Sequence, residues 1–87
     1  MTIDKLKLHY KYVKHTYNDK YSPEMISLRD EIKTFAESIE DNIIQKIIYY
    51  RYVMGKSWFS IAKMFKYGTP DCYRKMSERY IKKALKG

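Results

Sequence analysis

The stretch IIQKIIYYRYVMGKSWFSIAKMFKYGTPDCYRKMSERYIKKAL, residues 43–85, decides the fold, because two sharp breaks divide three runs of helical periodicity. Gly55 closes the first run, and Ser57 stands where it can cap the next. Gly68 closes the second, and Thr69-Pro70-Asp71 opens the third. A serine or threonine oxygen at the cap accepts an otherwise orphaned N–H. Proline at the first helical position lacks the N–H that would be orphaned anyway, and an early aspartate suits the helix dipole. The pattern predicts helices over residues 42–54, 58–66 and from Pro70 onward. A short helix, a Gly-containing break and a longer basic helix form the order of a helix-turn-helix.

Working outward, residues 2–18 place Ile3, Leu6, Tyr10, Val13 and Tyr17 at alternating steps of three and four, which is one apolar helical stripe. Lys5, Lys7, Lys11 and Lys14 lie off it. Asn18-Asp19-Lys20-Tyr21 reads as a connection, and Ser22-Pro23-Glu24 as a second helix start. Met25, Leu28, Ile32, Phe35 and Ile39 repeat the spacing. The two stripes fit an antiparallel pair within one chain. They also fit a short seam between two chains, so monomer and homodimer are both compatible. Asp41 is placed to cap the third helix, whose Ile43, Ile44, Ile47, Ile48 and Tyr52 cover a wide face and predict a buried, central element. Trp58, Ile61, Ala62 and Phe65 turn the fourth helix inward. The expected fold is an all-α, five-helix single domain: a helical hairpin over residues 1–41, then a helix-turn-helix over residues 42–87.

Eighty-seven residues make one domain with a modest core, and 45% hydrophobic content with 16% aromatics argues against disorder. No apolar run is long enough for a membrane span or a signal peptide. A single cysteine forms no internal disulfide, which sets a reducing interior, the cytoplasm, as the default location. Net charge is +8 and unevenly spread. Residues 1–20 carry net +3, residues 21–41 net −4, and residues 42–87 net +9. The positive excess falls on the helix-turn-helix half, as phosphate binding requires. The acidic segment from Glu24 to Asp41 reads as a solvated face, or as a dock for a partner or for the basic first helix.

At 100° per residue, Tyr73, Met76, Ser77, Tyr80 and Ala84 share one direction to within about 60° and form the core face of the last helix. Ile81 and Leu85 sit at its edge and are expected to pack on the amino-terminal helices. Asp71, Lys75, Glu78, Lys82 and Lys86 point the opposite way, with Arg79 close by and Cys72, Arg74 and Lys83 on the flanks. In helix-turn-helix docking the first turns of the recognition helix reach base edges, while later turns and neighbouring loops meet phosphate. Asp71, Cys72, Arg74, Lys75 and Glu78 are therefore the candidate base readers, since Arg can pair with guanine and acids can accept from cytosine. Arg79, Lys82 and Lys83 are candidate phosphate contacts, as are Lys56, Ser57 and Lys63, and the capping Thr69 belongs to the same set.

Other chemistry is not indicated. His9 and His15 have no metal-ligand spacing with the lone cysteine and read as surface residues. No Gly-rich phosphate loop and no nucleophile–base arrangement stands out, so no enzyme and no cofactor is expected. Cys72 at a helix start could be a reactive thiol, but it reads as a small residue of the helix surface. The ten tyrosines could stack on single-stranded bases, yet most sit at core spacing, as does Trp58.

One resemblance carries further. Arg51-Tyr52-Val53-Met54-Gly55-Lys56-Ser57-Trp58, then Ile61-Ala62 and Phe65, then Tyr73, Met76 and Lys82-Lys83-Ala84-Leu85 resemble region 4 of bacterial sigma factors. They most resemble the RinA and ArpU type of phage late-gene activators built on that module. The resemblance covers roughly the last half of the chain. It implies a sequence-specific double-stranded DNA-binding regulator of a phage or mobile element, acting with RNA polymerase in a bacterial host cell. Two other functions fit the same residues: a phage-encoded protein that inhibits a host protein such as RNA polymerase, and a DNA recogniser like a terminase small subunit.

Overall fold

The computed structural model describes residues 1–15, 22–66 and 68–85; expectations for Tyr17, residues 18–21, Lys86 and the His15 side chain lie outside the described residues. The described residues form an all-α fold of five helices: α1 Ile3–His15, α2 Pro23–Glu37, α3 Asn42–Ile48 running on into a π-helical turn Tyr49–Val53, α4 Trp58–Phe65 and α5 Pro70–Ala84.

The starts follow from local chemistry. Ser22 Oγ accepts from Met25 N–H ahead of Pro23, and Asp41 Oδ1 accepts from the N–H groups of Ile43 (2.9 Å) and Ile44 (3.1 Å). Ser57 and Thr69 cap α4 and α5 in the same way. The ends differ in one place. Gly55, at φ +71°, ends the third helix as expected, but α4 is closed by Lys66, which takes the left-handed conformation at φ 64°. Gly68 lies two residues further on, also at positive φ, where a Cβ would sit 3.4 Å from the Tyr73 ring.

The helices meet in two clusters. In the larger, Leu6 of α1, Leu28, Ile32 and Ala36 of α2, Ile39, Ile48, Val53 and Ile81 of α5 are buried together. In the smaller, Ile47, Ile61 and Tyr73 join α3, α4 and α5, with Tyr50, Trp58, Ala62, Phe65 and Met76 packed around them. Ile47 and Ile48 are adjacent and face different clusters, so α3 is the central element. The larger cluster draws on both halves of the sequence, so the amino-terminal pair shares its core with the rest of the chain. Glu31 accepts from Lys5 Nζ at 3.1 Å and lies 3.9 Å from the amino terminus, so part of the acidic helix does dock on basic α1. Such exposed pairs are worth ~0–1 kcal/mol, so the apolar contact does most of the holding.

Several positions depart from the periodic reading. Ile43 is 49% exposed, because the apolar face of α3 narrows to Ile44, Ile47 and Ile48. Beyond Ile48 the chain widens: Met54 N–H donates to Tyr49 O five residues back. An α-helix continuing from Ile48 would turn Tyr52 and Gly55 toward the larger cluster; the wider turn buries Val53, five residues on, in that cluster, with Tyr52 packed against it. On α1, Ile3 is exposed and His9 is fully buried, so the expected surface histidine belongs to the interior. His9 Nδ1–H donates to Tyr52 O at 2.7 Å, satisfying one of the carbonyls that a helix end leaves unpaired. Burial pushes the His9 pKa down, and the nearby Arg29 charge adds to this, against a smaller upward effect of the hydrogen bond. On α5, Ala84 is exposed, while Ile81 and Leu85 pack with α1 and α2 as expected. The reason is that α5 contacts two clusters in succession, so its buried row runs Tyr73, Ser77, Ile81.

Candidate nucleic-acid interface

The α4–α5 unit is held by aromatic packing. The rings of Phe65 and Tyr73 stack at 5.3 Å between centroids, and Tyr50 meets the Phe65 edge at 6.3 Å. The amino-terminal ends of the two helices lie side by side. A shallow cleft between them is lined by Trp58, Pro70, Asp71 and Arg74.

Around that cleft the candidates sort by what already holds them. Ser57 Oγ accepts from Ser60 N–H at 3.1 Å and faces Ser60 Oγ at 3.1 Å, so its hydroxyl is committed to the α4 cap. Thr69 Oγ1 accepts from Cys72 N–H at 3.2 Å, which leaves the Thr69 hydroxyl proton available. Cys72 is an exposed free thiol on the first turn of α5. Arg74 is not a free base reader. Its Nε donates to Asp71 at 3.0 Å and its Nη1 to Glu78 at 2.9 Å, while Lys75 Nζ lies 3.2 Å from the other Asp71 oxygen. The hydrogen bond from Arg74, and then that from Lys75, holds the Asp71 carboxyl below its usual range, and Arg74 is stabilised further in its charged form. Four of the five candidate base readers thus form one exposed network of two cations and two anions along the first turns of α5. The spacing of Asp71, Arg74, Lys75 and Glu78 at three and four residues was the available signal for it.

The remaining basic candidates are unencumbered. Arg79, Lys82 and Lys83 are exposed on α5 beyond the network, and none makes an ion pair among the described residues. Lys63 is exposed on α4 with its Nζ 5.5 Å from the Phe59 ring centroid, and Lys56 precedes the Ser57 cap. The uncharged core face of α5 is turned away from all of these.

Periodicity missed one arrangement entirely. The Arg51 guanidinium lies between two rings, 3.9 Å from the Tyr10 centroid and 4.5 Å from that of Trp58, and Nη1 donates to Lys56 O at 3.2 Å. It joins α1, the π turn and the start of α4. Its partners are far apart in sequence, so no local pattern marks it. Trp58, expected in the core, is half-buried against this cation.

All seven described tyrosines are buried or half-buried, which leaves none of them as an open stacking platform. Among the described residues no cluster of His, Cys, Asp or Glu could hold a metal ion, and no helix is long and apolar enough to cross a membrane. No protein family, no curated protein and no solved structure matches the chain.

Proposed function

We propose that this chain is a sequence-specific double-stranded DNA-binding regulator of a phage or mobile element, with α5 as the recognition helix. The observation that carries this function is the division of α5. One row, Tyr73, Ser77 and Ile81, is buried, while Arg79, Lys82 and Lys83 stand exposed and unpaired, next to a polar network at the helix start. The joined amino-terminal ends of α4 and α5 allow the first turns of α5 to enter a major groove while Lys56 and Lys63 meet flanking phosphates. In that docking the Asp71–Arg74–Glu78 network faces base edges. Arg74 exchanges its carboxylate partners for guanine where the sequence offers it, a contact stronger than exposed intrahelical pairs. The resemblance to sigma region 4 and to RinA and ArpU type activators adds RNA polymerase as the second partner and late genes as the target.

The test is a binding titration at several salt concentrations on one preferred and one scrambled duplex. Each neutralised phosphate contributes about −0.9 to the slope of log K against log salt. The five unpaired cations Lys56, Lys63, Arg79, Lys82 and Lys83 therefore contribute about −4.5. Lys82→Ala with Lys83→Ala flattens the slope by about two units and keeps site preference, since phosphate contacts do not read sequence. Absence of duplex binding at low salt refutes the function, and a chain that binds host polymerase but no duplex is an inhibitor instead.

A further inference from the structure

We infer that α1 carries a second phosphate-binding strip, Lys7, Lys11 and Lys14, that extends the DNA interface beyond the helix-turn-helix; this rests on the DNA-binding function proposed above. The two flanks of α1 are fixed by what they touch. On one flank Lys5 pairs with Glu31 of α2 at 3.1 Å. On the other, Tyr10 stacks on Arg51, whose second face is covered by Trp58 at the start of α4. The turn before α4 is pressed against the same end of α1: a Cβ on Gly55 would lie 2.7 Å from Val13 Cγ1 and 3.8 Å from the Lys14 amide nitrogen. At 100° per residue, Lys7, Lys11 and Lys14 fall within about 60° of one another, just past Tyr10 on the flank away from α2. All three are exposed, and none makes an ion pair among the described residues. Lys14 Nζ lies 5.6 Å from the Tyr10 centroid, on the ring that Arg51 also occupies.

The strip therefore begins beside Lys56 and the α4 cap, where the phosphate contacts of the helix-turn-helix begin, and runs back along α1. Three lysines at steps of four and three make one line of charge about two turns long, roughly 10 Å. Phosphates along one DNA strand recur at intervals of several ångström, so a line of this length spans two or three of them. The Arg51 stack gives the strip a defined place, because it ties α1 to the helix start that docks. Arg51 itself is enclosed between rings and acts as a positioning residue.

The experiment compares wild type, Lys7→Ala/Lys11→Ala/Lys14→Ala and, on the opposite flank of α1, Lys5→Ala. Binding is titrated against salt on the preferred and scrambled duplexes, and on preferred duplexes shortened from either end. The triple variant should keep the wild-type thermal midpoint, flatten the slope by between two and three units, and lose affinity alike on both sequences. Lys5→Ala should keep the full slope. Shortening one end of the duplex should weaken wild type and leave the triple variant unaffected, since the removed phosphates are those the strip holds. A triple variant with the full slope, while Lys82→Ala with Lys83→Ala flattens it, overturns the strip and leaves DNA binding standing. Equal sensitivity of wild type and triple variant to duplex shortening also overturns it. Failure of wild type to bind any duplex removes both.

Discussion

Replacing Gly55 by alanine adds one methyl group where the turn before α4 meets α1, and two separate costs follow. The first is conformational. Gly55 sits at φ +71°, a left-handed conformation that costs a residue with a Cβ about 1–2 kcal/mol. The second is steric. The new methyl would lie 2.7 Å from Val13 Cγ1 and 3.3 Å from Val13 Cβ. Carbon atoms prefer at least about 3.5 Å, so a gap of roughly 0.8 Å must open. Valine is stiff at χ1 within a helix, so the side chain cannot simply swing away and α1 itself has to move. Overpacking of this kind costs about 1–3 kcal/mol. Together the two terms give about 2–5 kcal/mol, against a total stability of about 4–13 kcal/mol for a domain of this size. The thermal midpoint should fall by at least about 10 °C. Urea unfolding followed by far-ultraviolet circular dichroism measures the change. The cycle with Val13→Ala separates the terms. Trimming Val13 removes the overlapping Cγ1 and leaves only the milder 3.3 Å contact with Cβ, so Gly55→Ala in that background should cost little beyond its conformational term of about 1–2 kcal/mol, leaving a coupling of about 1–3 kcal/mol. An equal cost in both backgrounds would show that α1 does not press on this turn. The placement of the α1 lysines beside α4 would then rest on the Arg51 stack alone.

Three further outcomes are expected. Tyr73→Ala removes a buried ring stacked on Phe65 and should cost about 3–5 kcal/mol, whereas Met76→Ala, only half-buried, should cost clearly less; equal losses in urea unfolding would contradict the observed row of buried residues. His9 has a lowered folded-state pKa, so below its ordinary value of 6.5 the unfolded chain binds the proton more readily. Stability should therefore be fullest above that pH and fall as pH drops beneath it, and His9→Gln should flatten unfolding free energy between pH 7.5 and pH 5; an unchanged pH slope in the variant would rule out His9 as the source. Arg74→Ala should weaken binding to the preferred duplex roughly ten- to hundredfold and relax preference at one base pair. If the loss is the same on a scrambled duplex, Arg74 keeps its partners Asp71 and Glu78 in the complex and reads nothing.

Much of the architecture is local and so is legible in the chain itself. Ser22, Asp41, Ser57 and Thr69 each cap a helix two or three residues away, and a side chain that reaches its partner within one turn depends on little else. Gly55 ends its helix for an equally local reason. Periodicity identified Leu6, Leu28, Ile32, Ile47, Ile48, Ile61 and Tyr73 as interior, because an apolar face has to be covered by something. The i, i+3 and i, i+4 pairs around Arg74 were open to the same inspection.

What the tertiary structure alone decided depends on which surfaces meet. An apolar stripe says that a helix is covered, and not by what. His9 is interior because the end of the third helix offers an unpaired carbonyl 43 residues further along the chain, and no local feature of a histidine among lysines announces that acceptor. The π turn, which buries Val53 beside Ile48, answers to the packing of α1, α2 and α3 around it, as does the exposure of Ala84 where α5 passes from one cluster to the other. The stack of Arg51 between Tyr10 and Trp58 joins three elements that touch only once the domain is folded, and it brings the basic side of α1 to the start of α4. Periods of 3.6 residues record the direction of a side chain from its own helix axis; the partner in that direction is set by loop closure and by how neighbouring helices interlock.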